Sequence, residues 1–166
     1  MIFKLNLKNF KNLIFRRENI LILLIVTIIF FFDRIVKNFV LQNVNEKFYF
    51  VNKFINIDLI WNIGIGFGLF STDTTLIYSF ITFLIGSVII ALIYVLILSQ
   101  YTDKLIYSLI IGGALGNFYD RLTFKAVPDF IDLHYNNFHW FTFNIADIFI
   151  TIGVIIFILR GFIFKN

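Results

Sequence analysis

The chain has 166 residues, of which 60% are hydrophobic, 14% are charged and 24 are phenylalanine. A soluble domain of this length would expose too much apolar surface to stay in solution, so the composition indicates an integral membrane protein. The absence of cysteine excludes disulfides, thiolate metal sites and cysteine nucleophiles, and the formal charge of +4 does not by itself indicate a nucleic-acid partner.

Four apolar segments, taken in chain order, are predicted to span the membrane as α-helices. A span needs about 20 residues and must satisfy its backbone polar groups internally. The approximate ranges are 20–40, 76–98, 105–122 and 144–164. The first segment ends in "FFFDRIVK", without the small residues that follow a cleavable signal peptide, so we expect it to remain as a span. The sequence thus predicts a single membrane domain over residues 1–166.

The basic residues predict the orientation of these spans. Those before the first span are Lys4, Lys8, Lys11, Arg16 and Arg17. Because lysine and arginine concentrate on the cytoplasmic side, we expect a cytoplasmic N-terminus, and four spans return the C-terminus to the same side. The basic arm is then a topology signal and a contact for anionic lipids, and no nucleic-acid partner is expected.

Two stretches are predicted to lie on the outer side of the membrane. The first, 41–75, contains "KFYFVNKFINIDLIW", whose aromatic and β-branched residues predict a small β-ribbon on the membrane surface, followed by the glycine-rich turn "NIGIGFG". The second, 121–143, is predicted to be a loop. The predicted fold class is therefore an all-α membrane protein with four transmembrane helices and a small extracytoplasmic β-ribbon.

The polar residues at the edges of the predicted spans gather on the outer side. They are Asp33 and Lys37 in the first span, Asn117, Asp120 and Arg121 in the third, Asp129 in the second outer loop, and Asn144 and Asp147 at the start of the fourth span. Unselected interfacial residues would be spread over both sides of the membrane. The clustering therefore indicates a functional site, although helix capping is an alternative for Asn144 and Asp147.

The spacing of these residues places several of them on shared helix faces. Asp33 and Lys37 are four residues apart, which predicts an ion pair. Asn117, Asp120 and Arg121 share one face, and Asn144 and Asp147 another. Gly112, Gly113 and Gly116 precede the Asn-Asp-Arg face, and small residues at such spacing let a neighbouring helix approach closely.

Several aspartates at one membrane surface also predict a type of chemistry. Two carboxyl groups held about 3 Å apart share one proton, because both cannot ionise comfortably. One member can then activate a water as a base while the other polarises a carbonyl as an acid.

Five motifs occur in order along the chain: "DRIVK" (33–37), "NIGIGFG" (62–68), "GGALGNFYDR" (112–121), "VPDF" (127–130) and "FNIAD" (143–147). Together they resemble the lipoprotein signal peptidases of bacteria, also called signal peptidase II. The resemblance implies an aspartyl endopeptidase of the bacterial inner membrane, with both termini cytoplasmic and its active site on the periplasmic side. Its substrates would be prolipoproteins whose cysteine carries a diacylglyceryl group, cut on the amino side of that cysteine.

The resemblance also implies roles for individual residues. The catalytic aspartates of the family fall on Asp129 and Asp147. Positions that support this pair or bind substrate fall on Asn117, Arg121, Asn144, Asn62, Asp33 and Lys37. Asp120 is expected to be structural, paired with Arg121 or a backbone group. No cofactor or metal is expected, and the enzyme would work as a monomer among membrane lipids.

Two other readings of the residues compete with this one. The stretch "DFIDLHYNNFH" offers Asp129, Asp132, His134 and His139 as candidate metal ligands, but their spacing fits no zinc signature. A transporter subunit or assembly scaffold is the other reading. Transporter sites usually lie near the membrane midplane, which here is apolar.

Overall fold

A computed structural model of the chain describes residues 16–44, 49–64, 75–136 and 138–163. Its helices are α1 (Arg17–Asn43), α2 (Thr75–Leu98), α3 (Tyr101–Phe124) and α4 (Ile145–Ile163). Its strands are β1 (Tyr49–Asn52), β2 (Ile55–Asn62), β3 (Val127–Tyr135) and β4 (Phe138–Phe143). The part of the predicted glycine-rich turn that follows Gly64 lies outside the described residues.

Three helices of the described chain are long and apolar enough to cross a membrane: Arg17–Asn43, Leu76–Leu98 and Ile145–Phe162. They agree with the first, second and fourth predicted spans. The remaining helix, α3, has charged residues near both ends, and its uncharged stretch from Leu105 to Tyr119 is shorter than a full span. The crossing at 105–122 therefore stays a prediction.

Helix α3 packs against each of the other three helices. A Cβ atom on Gly112 would come within 2.8 Å of Ile29 Cβ on α1, and one on Gly113 would collide with the carbonyl oxygen of Ala146 on α4. On Gly116 it would lie 2.6 Å from Asp33 Oδ2. The predicted close helix approach at these glycines is thus confirmed.

The strands form one antiparallel sheet in the order β1-β2-β3-β4. The predicted ribbon corresponds to β1 and β2. The prediction of a loop over 121–143 is wrong, because α3 continues to Phe124 and β3 and β4 follow it. Lys125, with a φ of 56°, adopts the left-handed conformation that ends α3 and turns the chain into β3.

The inner strand β3 is mostly buried because β2 and β4 flank it and the C-terminal end of α1 packs against it. Phe130 of this strand joins Val40 and Val44 of α1 in an apolar cluster. Asp129 therefore lies on a rigid strand and not in a loop. In the register of the sheet it pairs with Ile60, and Asp132 pairs with Asn56.

Candidate active site

A cavity of about 250 Å³ lies where α2, α3 and α4 meet strands β2 and β3. Its polar lining residues are Asn62, Asn117, Arg121, Asp129, Asp147 and Thr151, and its apolar ones are Ile85, Ala114, Val127 and Ile150. Five of the predicted site residues, including both predicted catalytic aspartates, thus face one space. Below, Asp129 and Asp147 are called the dyad.

Asp129 enters the cavity from β3 and is only 3% exposed. Its carboxylate accepts hydrogen bonds from Asn62 Nδ2 at 2.9 Å and from Asn144 Nδ2 at 2.6 Å. The pKa of Asp129 is raised to about 6, mainly by burial and next by the negative charge of Asp147. The hydrogen bonds from the two asparagines and the positive charge of Lys37 oppose this rise. Asp129 therefore holds a proton more readily than an ordinary aspartate.

Asp147 lies in the first turn of α4, where a local capping interaction fixes its backbone and its carboxylate. Asn144 is the N-cap residue: its Oδ1 accepts the Asp147 N–H at 3.1 Å, and Asp147 Oδ2 accepts the Asn144 N–H at 3.2 Å. This reciprocal pair is a capping box. The other carboxylate oxygen, Oδ1, accepts a hydrogen bond from Asn117 Nδ2 at 2.7 Å.

Asn144 links the two aspartates directly. Its Oδ1 serves the cap, which leaves Nδ2 to donate to Asp129, while its backbone N–H donates to Asp147. Asn144 thus caps the helix, which was the alternative explanation for it, and also contacts both carboxylates, that of Asp129 through its side chain and that of Asp147 through its backbone.

Beside the dyad, α1 and α3 enclose four ionised side chains: Asp33, Arg34, Lys37 and Asp120, below called the charge cluster. The predicted ion pair between Lys37 and Asp33 is present at 3.0 Å. Arg34 contacts Asp120 Oδ1 at 2.5 Å and Asp33 Oδ2 at 3.0 Å. Two acids and two bases balance one another, as burial of charge requires.

The expected pairing of Asp120 with Arg121 or a backbone group is wrong. Asp120 instead bonds Arg34 and Lys37, the latter at 2.7 Å. Consecutive residues of a helix point in directions about 100° apart. Asp120 therefore faces α1, while Arg121 donates to the carbonyl oxygens of Asn117 at 3.2 Å and Gly64 at 2.9 Å.

The charge cluster reaches the dyad through two contacts. Lys37 Nζ donates to Asn117 Oδ1 at 2.8 Å, which orients the amide so that its nitrogen faces Asp147. Asp33 Oδ1 accepts the backbone N–H of Ala146 at 3.0 Å, in the helical turn that carries Asp147.

Arg34 was not predicted as a member of this cluster. The available signal was a charged residue inside an apolar span, directly after Asp33, where an unpaired charge would be costly. The grouping of Asn56 with residues of β3 and β4 was not predicted either. Asn56 Nδ2 donates to Asp132 Oδ2 at 3.2 Å and lies 3.0 Å from His134 Nδ1.

The four candidate metal ligands do not meet at one point. Asp129 bonds asparagines in the cavity, whereas Asp132 accepts a hydrogen bond from His139 Nδ1 at 2.7 Å. Among the described residues no group of three or more acidic, histidine or cysteine side chains could hold a metal ion.

Comparisons with known proteins place the chain in a family. The family described as Signal peptidase (SPase) II matches residues 25–163. The lipoprotein signal peptidase of Pelagibacter ubique (strain HTCC1062) is 48% identical over 166 residues, covering 98% of this chain and 95% of that protein. The lipoprotein signal peptidase of Francisella tularensis subsp. novicida (strain U112) is 44% identical over 123 residues, covering 70% of this chain and 74% of that protein.

Solved structures agree with the sequence relatives. A bacterial membrane enzyme determined by the in meso method at 2.3 Å resolution superposes with a TM-score of 0.69 and 33% identity, covering 87% of this chain and 91% of that chain. A second such structure, at 1.9 Å resolution, gives a TM-score of 0.68. With the family match, the relatives and the fold in agreement, this membrane protein belongs to the signal peptidase II family of proteases.

Proposed function

We propose that the protein is an intramembrane aspartyl endopeptidase that removes the signal peptide from diacylglyceryl-modified prolipoproteins. Cleavage falls on the amino side of the lipidated cysteine. The name shared by the relatives, lipoprotein signal peptidase, supports the substrate class. The observation that carries the aspartyl mechanism is the bridge by Asn144, which donates one hydrogen bond to Asp129 and another to Asp147.

The surroundings of the dyad favour one shared proton. Among the described residues, the groups that donate hydrogen bonds to the carboxylates of Asp129 and Asp147 belong to neutral side chains or backbone, namely those of Asn62, Asn117 and Asn144. Asparagine donors hold a carboxylate in place without neutralising it, so the repulsion between two buried carboxylates persists until one binds a proton. The pair then titrates as a unit, and the proton is not assigned to either member.

The proposed reaction uses the dyad as base and acid together. The ionised carboxylate removes a proton from a water, whose oxygen bonds to the carbonyl carbon before the cysteine, while the protonated carboxyl donates to the carbonyl oxygen. Collapse of the tetrahedral intermediate breaks the C–N bond, and a proton from the dyad passes to the leaving amine. Asn117 and Asn144 keep both carboxylates aimed at the cavity, and Arg121 lines the same space as a contact for the peptide.

The walls of the cavity suit a substrate that arrives within the membrane. Ile85, Ala114 and Ile150 supply apolar surface from three different helices, opposite the polar dyad. We place the protein in the bacterial inner membrane as a monomer in contact with membrane lipids. Both termini are cytoplasmic and the dyad is at the periplasmic side, in keeping with the basic residues before α1.

Substitution of each dyad member tests the proposal. Asp129→Asn and Asp147→Asn should each lower cleavage of a diacylglyceryl-modified precursor by at least about 1,000-fold, because the amide neither takes up nor releases the proton. Asp132→Asn is the matched control, since Asp132 is a buried aspartate of the same strand outside the cavity. Substantial turnover by either dyad variant would contradict the assignment.

A chelator separates the aspartyl mechanism from the metal-dependent alternative. Cleavage by the purified enzyme should be unchanged after incubation with excess EDTA. Loss of activity that returns on addition of a divalent metal would favour the metal-dependent reading of Asp129, Asp132, His134 and His139.

A further inference from the structure

Arg34 belongs to the charge cluster, whose members take no direct part in the proposed reaction. Its side chain is 9% exposed, and its guanidinium contacts both oxygens of Asp120 and also Asp33 Oδ2. The same group lies 5.0 Å from the centre of the Tyr119 ring. This forked contact with two carboxylates uses the planar donor geometry that arginine has and lysine lacks.

Arg34 completes the charge balance on which Lys37 depends. Lys37, Asp33 and Asp120 are each 0% exposed, so without Arg34 the single positive charge of Lys37 would face two buried carboxylates. An ammonium group has three donors, and Lys37 Nζ contacts Asp33, Asp120 and Asn117. Because Arg34 also serves the two carboxylates, Lys37 can retain a bond to the neutral Asn117 amide.

The bond from Lys37 to Asn117 decides which end of the amide faces the dyad. With Oδ1 held by Lys37 at 2.8 Å, Nδ2 donates to Asp147 Oδ1 at 2.7 Å. A flipped amide would place its oxygen against the carboxylate, which is repulsive. Asp33, the second carboxylate that Arg34 contacts, also anchors the Ala146 N–H beside Asp147.

We propose that Arg34 is a positioning residue for Asp147: it balances the charge cluster so that Lys37 and Asp33 hold Asn117 and the first turn of α4 in place. The inference rests on the proposed aspartyl mechanism. Arg34 itself does not line the cavity. Its effect passes through Lys37 and Asn117, and through Asp33 and Ala146.

The charged groups around the dyad predict the direction of the effect on pH dependence. Those on the packed elements are Asp33, Arg34 and Lys37 from α1, Asp120 and Arg121 from α3, and Asp129 from β3 opposite Asp147 in α4. Removal of the Arg34 charge makes this set more negative by one unit. The dyad then holds its protons more tightly, so both limbs of its pH-rate profile move to higher pH.

The test compares Arg34→Gln with Arg34→Lys in cleavage of a diacylglyceryl-modified precursor across the pH range. In Arg34→Gln, kcat should fall about tenfold with little change in KM, and both limbs should move up by about half a pH unit. In Arg34→Lys the charge is kept, so the limbs should stay at the wild-type pH while kcat recovers only in part. Arg17→Gln, at the exposed start of the same helix, should match the wild type.

A double variant separates charge balance from a general structural role. Arg34→Gln with Asp120→Asn removes one charge of each sign, so the limbs should return to the wild-type pH. If Arg34→Gln alone does not fold, the double variant provides the test. A folded double variant whose pH-rate profile matches that of the wild type supports the proposal, and a profile displaced along the pH axis overturns it. A folded Arg34→Gln enzyme with the wild-type kcat and limbs also overturns it.

Failure of this inference is distinguishable from failure of the proposed function. Turnover by Asp129→Asn or Asp147→Asn would remove the aspartyl mechanism altogether. Inactive dyad variants combined with an unaltered Arg34→Gln enzyme would remove only the positioning role.

Discussion

Asp129 and Asp132 lie three residues apart on the same strand, are buried to the same degree at 3% and 4% exposure, and differ in their surroundings. Asp132 bonds the side chains of Asn56 and His139. Asp129 bonds two asparagines and faces the second carboxylate, Asp147, across a cavity. Burial is therefore not what distinguishes the candidate site. A second acid and an adjoining cavity are the distinguishing features.

The charge cluster gives a further contrast on the opposite side of the dyad. Asp33 and Asp120 are fully buried, as Asp129 nearly is, but each contacts both Arg34 and Lys37. Carboxylates held by two cations serve as fixed structural supports. The acids of the charge cluster thus differ from the proposed dyad in the charge of their hydrogen-bond partners.

The largest difference in this comparison is expected between Asn144, which bonds Asp129, and Asn56, which bonds Asp132. Asn144→Ala should lower kcat about 100-fold, because the Asp129 carboxylate loses a hydrogen bond and the backbone N–H of Asp147 loses its cap. Asn56→Ala should leave kcat within about twofold of the wild type, since its partner Asp132 lies outside the cavity. Steady-state cleavage of a lipidated precursor measures both. Equal losses would mean that the two aspartates are not functionally different.

The approach of Asp147 to Asp129 depends on close packing of α4 against α3. Gly113→Ala should destabilise the protein by about 1–3 kcal/mol and lower activity, because the new methyl group meets the Ala146 carbonyl and lies 2.9 Å from Ile150 Cγ1. Gly161→Ala in α4 is the control, since no atom of the residues that the structure describes lies within 4 Å of the added methyl group. Thermal unfolding in detergent would reveal the difference. A Gly113→Ala protein as stable as Gly161→Ala would contradict this packing.

The raised pKa of Asp129 predicts that the stability of the fold depends on pH. The Asp132→Asn variant should keep this dependence, and the Asp129→Asn variant should lose it. With a pKa of about 6 in the fold against 3.8 for an ordinary aspartate, folded Asp129 binds more protons than the unfolded chain between these values. Its contribution to stability therefore falls as pH rises through this window and levels off above the folded pKa. Between pH 5 and 7 the fall is about 1 kcal/mol.

Tm measured in detergent at intervals from pH 5 to 7 tests this slope. The wild type and Asp132→Asn should lose stability relative to Asp129→Asn as the pH rises. Parallel curves for all three proteins would show that Asp129 titrates in the fold as it does in the unfolded chain.

The smallest effect is expected at His139, the exposed residue that contacts Asp132. His139→Gln removes the partner of Asp132, but the His139 side chain is 54% exposed. An ion pair this open to solvent contributes about 0.5 kcal/mol, and salt screens it. Activity should be unchanged and Tm should fall slightly, with a smaller difference at high ionic strength. A large loss of activity would mean that the Asp132 cluster is coupled to the dyad.

Some features followed from local sequence because they depend on near neighbours in the chain. Three apolar segments long enough to cross a membrane indicated α1, α2 and α4, and the i, i+4 spacing of Asp33 and Lys37 indicated their ion pair. Small residues at Gly112, Gly113 and Gly116 predicted close helix packing. Helical periodicity and span length are local properties, so a single sequence displays them.

Other features depended on contacts between distant parts of the chain. Residues 127–143 contain two strands because β2, which is distant in sequence, offers an edge for pairing. No local sequence pattern identifies that partner. The partners of Asp120 lie 83 and 86 residues away on α1, not beside it in the chain. The direction in which a helix face points is set by the neighbouring helix, which spacing alone does not identify.

The sequence by itself determined the membrane-embedded character of the chain, most of its helices and the set of acidic and amide residues from which a site could be built. Only the tertiary structure decided that Asn144 would join Asp129 to Asp147 while Asp132 turned to a histidine. The reason is physical: the behaviour of a buried acid depends on the charge and direction of the groups packed around it, and those groups come from elements that are distant from one another in the sequence.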